Sequence, residues 1–527
     1  MAVQSGRIVA VGSNDDVRRY RGPSTEVISV RSRMLLPAFQ DAHVHAVGGG
    51  FERLRCDLSG ERTRDAYLRV VRDFAASHPD VDWILGGGWS MDAFPGGIPS
   101  KEDLDAAVPD RPVFLPNRDH HGAWVNSAAL ARARITRETS DPPDGRIERA
   151  RHGEPAGTLQ EAAMDLVARL IPPPTLAEVE AAILEAQRYL HSLGIAAWQE
   201  AIVGTYAGIP DSFEAYRRLD GRGRLTARVV GALWWDRDRD EDQIDAFLER
   251  RARSTPRFQA TSIKIMLDGV CENFTASMLE PYQALPSGAR HPRGTSYVDP
   301  ESLKRIVTRL DREGFQVHMH AIGDRAVRSG LDAVEAARRA NPPGAGRHHL
   351  AHLQVVHPRD IPRFPALNAI ANAQPLWACR DAQMTELTVP FLGPERSGWQ
   401  YPFASLRAAG ARLAFGSDWP VSSPNPLLGV QVAVTRSPTE EHSGVVDRSP
   451  LHPEQRLELR DALTAYTRES AFVNHLEAVS GSIQSGREAD LVLLDRDPFA
   501  GPPEEIGQAR VLLTLCGGKP VHRAGDL

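Results

Sequence analysis

The chain has 527 residues, of which 42% are hydrophobic and 25% charged, and its formal net charge is -6. That is ample material for a large core, and the lack of a basic excess argues against nucleic acid or an anionic membrane as the main partner. With no run of about 18 apolar residues and no signal-like start, the expectation is a cytoplasmic protein that acts on a small molecule, with a homo-oligomer left open.

The first 30 residues alternate apolar and polar ("GRIVAVG", "TEVISV") and read as short strands. "READLVLLDRDP" and "ARVLLTLCGGKPV" near the other end do the same. The two termini, 1–34 and 476–527, are therefore expected to form one small β-sandwich flanking a central domain over 35–475. Within that domain β-like and amphipathic stretches alternate. "LAEVEAAILEAQRYLHSLG" (176–194) has helical spacing and stops at Gly194, and "IAAWQE" follows as a strand. "TSIKIMLDG", "FQVHMHAIGD", "HHLAHLQ", "LNAIANAQP" and "RLAFGSDWP" continue the series, with helices expected at 301–313, 325–340, 358–366 and 403–410 between them. This alternation implies βαβ units and a parallel sheet. Residues from about 83 to 170, rich in Gly, Pro and Asp, break the pattern and read as an irregular insertion over the active face.

Cys56, Cys271, Cys379 and Cys516 are scattered without a C-x-x-C pair, so neither a disulfide framework nor a thiolate metal site is expected. Histidine carries the signal instead. In "LPAFQDAHVHAVGGG" (36–50), His43 and His45 share one face of a strand. Taken alone, the pair is equally well two hydrogen-bonded structural histidines or half a metal site. Further candidates close later strands: Lys264, His318 and His320, His352, and Asp418. In a parallel barrel, chemistry collects at those C-terminal strand ends.

Lys264 is one of only four lysines in the chain. Alternation puts it on one face with Ser262, Met266 and Asp268, pointing into the barrel. Burial lowers a lysine pKa, and a neutral amine can take up carbon dioxide to give a carbamate ligand; an ion pair with Asp268 is the alternative.

"DAHVH" on the first strand, lysine on the fourth, histidines on the fifth and sixth and "GSD" on the eighth resemble the amidohydrolase superfamily. The chain is most similar to its YtcJ-like, or amidohydrolase 3, branch, which includes N-substituted formamide deformylase. "GGGW", "HGAWVNSAAL", "GEPAGTLQEA", "AHLQVVHP" and "GSIQSGREADLVLLDRDP" carry the match through nearly the whole chain. The resemblance implies a (β/α)8 TIM-like barrel and hydrolysis of a C–N bond (amide, N-acyl or formamide). It implies a divalent metal, zinc by ligand type, bound by His43, His45, His320, His352 and Asp418. The count is two ions if Lys264 is a carboxylated bridge and one otherwise. Asp418 would also be the general base and acid, with His318 and Asp268 behind the ligands.

By resemblance and position, Trp89, His121, Trp124, Asn126, Trp377 and Trp419 would contact substrate, with specificity sought in "WACRDAQMTELTVP" (377–390). Three features depart from the family pattern. Met1 falls almost at "GRIVAVG", Ala351 stands where an acid is common, and Glu200 stands where an aspartate is usual after the third strand. A deaminase with the same ligands is the nearest rival, but it would lack Lys264. An ester or lactone hydrolase and a non-catalytic metal-binding barrel are the other readings.

Overall fold

The structure is a computed structural model that describes residues 1–527 apart from 32, 207–208, 284, 286–290, 343, 345, 441, 443–446 and 526. Eight parallel strands form its centre: β1 (Phe39–Val44), β2 (Ile195–Val203), β3 (Arg228–Trp234), β4 (Phe258–Met266), β5 (Gln316–Ala321), β6 (His349–His352), β7 (Ile370–Ala373) and β8 (Arg412–Phe415). Each pairs with its neighbour in chain order. The sheet closes just beyond the named strands, where Asp418 N–H donates to His43 O and His45 N–H to Trp419 O, both at 2.8 Å. Gly416 permits that closure, since a Cβ there would lie 2.6 Å from His43 N.

Helices Leu176–Ser192, Pro300–Arg312 and Asp324–Ala340 cover the outside, close to the expected spans. Thr175 and Asp299 cap the first two. Apolar outward residues of β4 (Ile263, Ile265) join Leu303, Ile306 and Val307 in one core. The inward positions differ from the branched aliphatic layers usual in such barrels. Gln40, Gln199, Ser262, Gln316, His318, His349 and Asn372 are all buried. Several pair with one another: Gln199 Nε2 donates to Gln316 Oε1 at 3.0 Å, Gln199 Oε1 meets His349 Nε2 at 3.0 Å, and Asn372 Nδ2 lies 3.1 Å from His349 Nδ1.

Segments from both ends of the chain lie beside the barrel. An antiparallel sheet joins Leu35–Pro37, Leu491–Leu494, Val511–Cys516 and Lys519–Arg523. Its first strand lies past residue 34. The hairpin Ala2–Gln4/Arg7–Ala10 docks on residues 486–489 through Ile8 N–H to Arg487 O and Ala489 N–H to Gly6 O. Arg228 on β3 ties barrel to sheet by pairing with Glu488 and Asp490.

The insertion is more ordered, and begins earlier, than its composition predicts. It is a six-stranded mixed sheet, ordered Cys56–Asp57, Ile84–Gly87, Val113–Pro116, Gly122–Val125, Pro155–Glu161, Gly145–Arg149. Apolar clusters cover it, one around Tyr67, Trp89, Phe94 and Trp124 and another around Trp83, Phe114, Leu159 and Met164. Short strands separated by Gly- and Pro-rich turns lack the run length that would have revealed them. Among the described residues no helix is long and apolar enough to cross a membrane.

Candidate metal centre

β1 delivers His43 at its last inward position and His45 just past its end, where the chain enters helix Ala46–Leu54. The turn after β8 delivers Asp418, and β6 ends on His352. Both hold left-handed backbone, φ 56° at Asp418 and 75° at His352. Such conformations cost non-glycine residues energy and persist where the surroundings over-determine them. Asp41 supplies part of that constraint. Buried one turn of the pleat before His43, it accepts Ser417 N–H at 3.0 Å and Ser417 Oγ–H at 2.5 Å, fixing the turn that aims Asp418.

Nε2 of His43 and Nε2 of His45 each lie 3.0 Å from Asp418 Oδ1, and His352 Nδ1 lies 3.7 Å from Asp418 Oδ2. One ligand atom from each of His43, His45 and Asp418 falls within 4.8 Å of the others. Yet His43 Nε2, His352 Nδ1 and Asp418 Oδ1 are buried without an aligned hydrogen-bond partner. Buried polar atoms rarely go unpaired, and atoms that converge on a point rather than on one another suit a cation. The protonation states agree. Burial, then the Lys264 charge, pushes His43 down to about 3. Burial would raise Asp418, but His43 and His45 outweigh it and hold the carboxyl well below its usual range. Neutral imidazoles beside an ionised carboxylate are the ligand forms.

His320 and His352 border this group, their rings 4.4 Å apart, and Lys264 lines the same chamber. Burial lowers the Lys264 amine to about 7. Asp268 does not pair with it. Asp268 accepts backbone N–H groups of Ser277, Ile322 and Gly323 at 2.8, 3.1 and 2.9 Å, and approaches His320 Nε2 at 3.6 Å. His318 stands behind His43, with Nε2 2.7 Å from His43 Nδ1.

The expected substrate contacts divide. His121 lines the chamber, while Trp377 lies between it and a larger outer cavity, stacked on His352 at 5.3 Å with 1° between planes. Trp419 lines the outer cavity and packs on Gly49 and Tyr189. Trp89, Trp124 and Asn126 are corrections. The two indoles lie in the insertion's core and donate to Leu115 O and Ser100 O, at 2.7 and 2.8 Å. Asn126 caps helix Ser127–Arg132, accepting Ala129 N–H at 3.0 Å. Glu200, expected after a third strand, lies on β2 and accepts the Tyr216 hydroxyl.

Sequence reasoning missed His120, which sits at φ 62° with Nε2 2.8 Å from Glu52 Oε1, and Glu161, whose Oε2 is 2.9 Å from His121 Nδ1. Two adjacent histidines in "RDHHG" were a visible signal; their acid partners, far away in sequence, were not. Burial works against a charged His121, but Glu161 outweighs it and raises the imidazole to about 9.

The chamber is small, about 70 Å³, with Val47, Ile202, Met266, Val270 and Ile322 among its apolar walls. It shares Asp119, Val270, Ile322, Trp377 and Val421 with the outer cavity of about 550 Å³. Asp381, Gln383 and Met384, from the segment 377–390 that follows β7, line that outer cavity.

The profile of the Amidohydrolase family matches residues 26–522. The chain is 31% identical over 525 residues to "Putative amidohydrolase YtcJ" of Bacillus subtilis, covering 99% of this chain and 95% of that one. It is 26% identical over 533 residues to "N-substituted formamide deformylase" of Arthrobacter pascens, covering 98% and 93%. A solved metal-dependent hydrolase from Pyrococcus furiosus superposes with a TM-score of 0.70 at 26% identity, covering 94% of each chain. Over nearly its whole length, this chain belongs to the Amidohydrolase family.

Proposed function

We propose that the protein is a cytoplasmic hydrolase that cleaves the C–N bond of a small N-acyl or formamide substrate, using a divalent metal held by His43, His45 and Asp418. The observation that carries this reading is the convergence of three ligand atoms, two of them buried and unpaired, at the mouth of the barrel. Zinc suits imidazole and carboxylate donors best. His320, His352 and Lys264 border the same chamber and would complete a second position if Lys264 is carboxylated. The similarity to a formamide deformylase favours a short acyl group, and so does a chamber with room for little more than two waters.

When bound, the metal supplies Lewis acidity, which polarises a carbonyl and makes water a usable nucleophile near neutral pH. Asp418, held ionised, takes the proton of the attacking water and returns one to the leaving nitrogen, which is a poor leaving group until protonated. For His43 to present a lone pair at Nε2, its Nδ1–H must donate to His318, which fixes the ring. The apolar walls and Trp377 restrict bulk water.

The test is metal analysis of purified protein, followed by assays on N-formyl and N-acetyl compounds, lactones and aminated heterocycles. The reading expects bound metal and turnover of the first group, with Asp418→Asn slower by about 10²- to 10⁴-fold. Wild-type protein that binds no metal, or full activity in Asp418→Asn, would refute it; turnover confined to lactones or to ring amines would move the assignment to those reactions.

A further inference from the structure

The outer cavity carries three arginines, Arg53, Arg62 and Arg118. Two are spoken for. Arg53 pairs with Glu185 at 2.9 Å and lies over the Tyr189 ring, while Arg62 donates to the carbonyls of Ser59 and Glu61. Arg118 is different. Among the described residues its guanidinium makes no ion pair and no hydrogen bond, and Nη2 is buried.

No acid in the same wall makes an ion pair with it, although its charge reaches Asp381, and each accepts a hydrogen bond from another group. Asp57 accepts Ser59 N–H and Oγ–H, Asp92 the Ser90 hydroxyl, Asp119 the His121 N–H, Asp381 the Met384 N–H, and Glu272 the Thr388 hydroxyl. A buried, unanswered guanidinium nitrogen is costly, and its fork of donors matches a carboxylate. Its backbone is fixed: Arg118 N–H donates to Trp89 O at 2.8 Å, anchoring the segment to the insertion's core. The next residue, Asp119, belongs to the wall shared with the metal chamber.

We propose that Arg118 is a specificity-determining residue that binds a carboxylate on the amine side of the substrate. With the short acyl group in the inner chamber, the substrate class is then an N-acylated amino acid. This rests on the hydrolase reading for the position of the acyl group. The carboxylate contact itself is a binding claim that can be read without turnover.

The experiment is calorimetric titration of the wild-type protein, its metal chelated to stop turnover, with N-formyl and N-acetyl amino acids of both configurations, each paired with its neutral amino-acid amide. The carboxylate is expected to bind about 10- to 100-fold tighter than the amide, the range for losing a charged hydrogen bond. Arg118→Gln should erase that difference while leaving amide binding and melting temperature unchanged, and Arg118→Lys should restore part of it. Equal affinity for acid and amide across the panel, no binding by any acid, or a preference that survives Arg118→Gln would overturn the inference. If the preference is present but wild-type enzyme turns over none of the panel, the carboxylate contact stands and the hydrolase reading falls.

Discussion

His43 Nδ1 and His318 Nε2 stand 2.7 Å apart with both rings fully buried, and the His318 ring lies 4.1 Å from that of His349. His43 is thus held by a second imidazole, which is braced in turn by Gln199 and Asn372 through His349. Removing the brace should loosen the His43 ring without removing it. His318→Phe is expected to lower metal affinity about 10- to 100-fold, the usual cost of a lost outer partner. Competition with a chromogenic chelator measures this, with circular dichroism as the control for folding. Unchanged metal affinity would show that His318 is only a packing residue.

In sequence, three glycines after His45 (48–50) read as room for substrate and chain reversal beside the candidate metal site. Only Gly48 touches the chamber. Gly49 and Gly50 are instead contact points for helix Ala46–Leu54: a Cβ on Gly49 would meet the Trp419 ring, and one on Gly50 would overlap the Ala182 carbonyl of helix Leu176–Ser192. Gly50→Ala should therefore cost stability, about 1–3 kcal/mol by the scale of overpacking. Denaturant unfolding reads the loss, and a variant as stable as wild type would show that the two helices can separate freely.

The barrel was legible because period-two alternation and helical spacing are strong local signals over long elements, and because His43, Lys264, His320, His352 and Asp418 fall toward the C-terminal ends of five of its strands, β1, β4, β5, β6 and β8. Lining residues were harder. Trp89 and Trp124 carry the same local signature whether they face a cavity or a core, and only the pairing of Gly122–Val125 with Val113–Pro116 and Pro155–Glu161 decides it. The polar barrel interior was hidden for a similar reason. Gln199, His349 and Asn372 look like solvent-facing residues until the strands are assembled and each becomes the other's partner.

That distinction predicts opposite phenotypes for two tryptophans. Trp124→Ala should destabilise the insertion by about 3–5 kcal/mol, as large core truncations do, while leaving KM of the folded fraction unchanged. Trp377→Ala, which removes the ring stacked on His352, should change KM and kcat with a smaller loss of stability. Thermal melts and steady-state kinetics on both variants separate the two roles. A KM change confined to Trp124→Ala would return that indole to the substrate site.

Away from the candidate metal centre, His191 should make stability depend on pH. Its Nδ1–H donates to Ile195 O at 2.8 Å, its Nε2 lies 2.8 Å from Thr226 Oγ1, and its carbonyl accepts Thr514 of the terminal sheet. Burial outweighs the help of the Ile195 carbonyl and pushes the imidazole down to about 4. An unfolded histidine titrates near 6.5, so below that pH the unfolded chain binds a proton that the folded chain refuses, and stability falls as pH drops from about 6.5 toward 4. Between about pH 7.5 and 5 this residue should cost the fold about 2 kcal/mol. Glutamine can donate to Ile195 O and accept from Thr226 without titrating. His191→Gln should therefore lose about 2 kcal/mol less than wild type over that interval, measured by urea unfolding at both pH values. Parallel losses in the two proteins would mean that His191 is protonated in the fold.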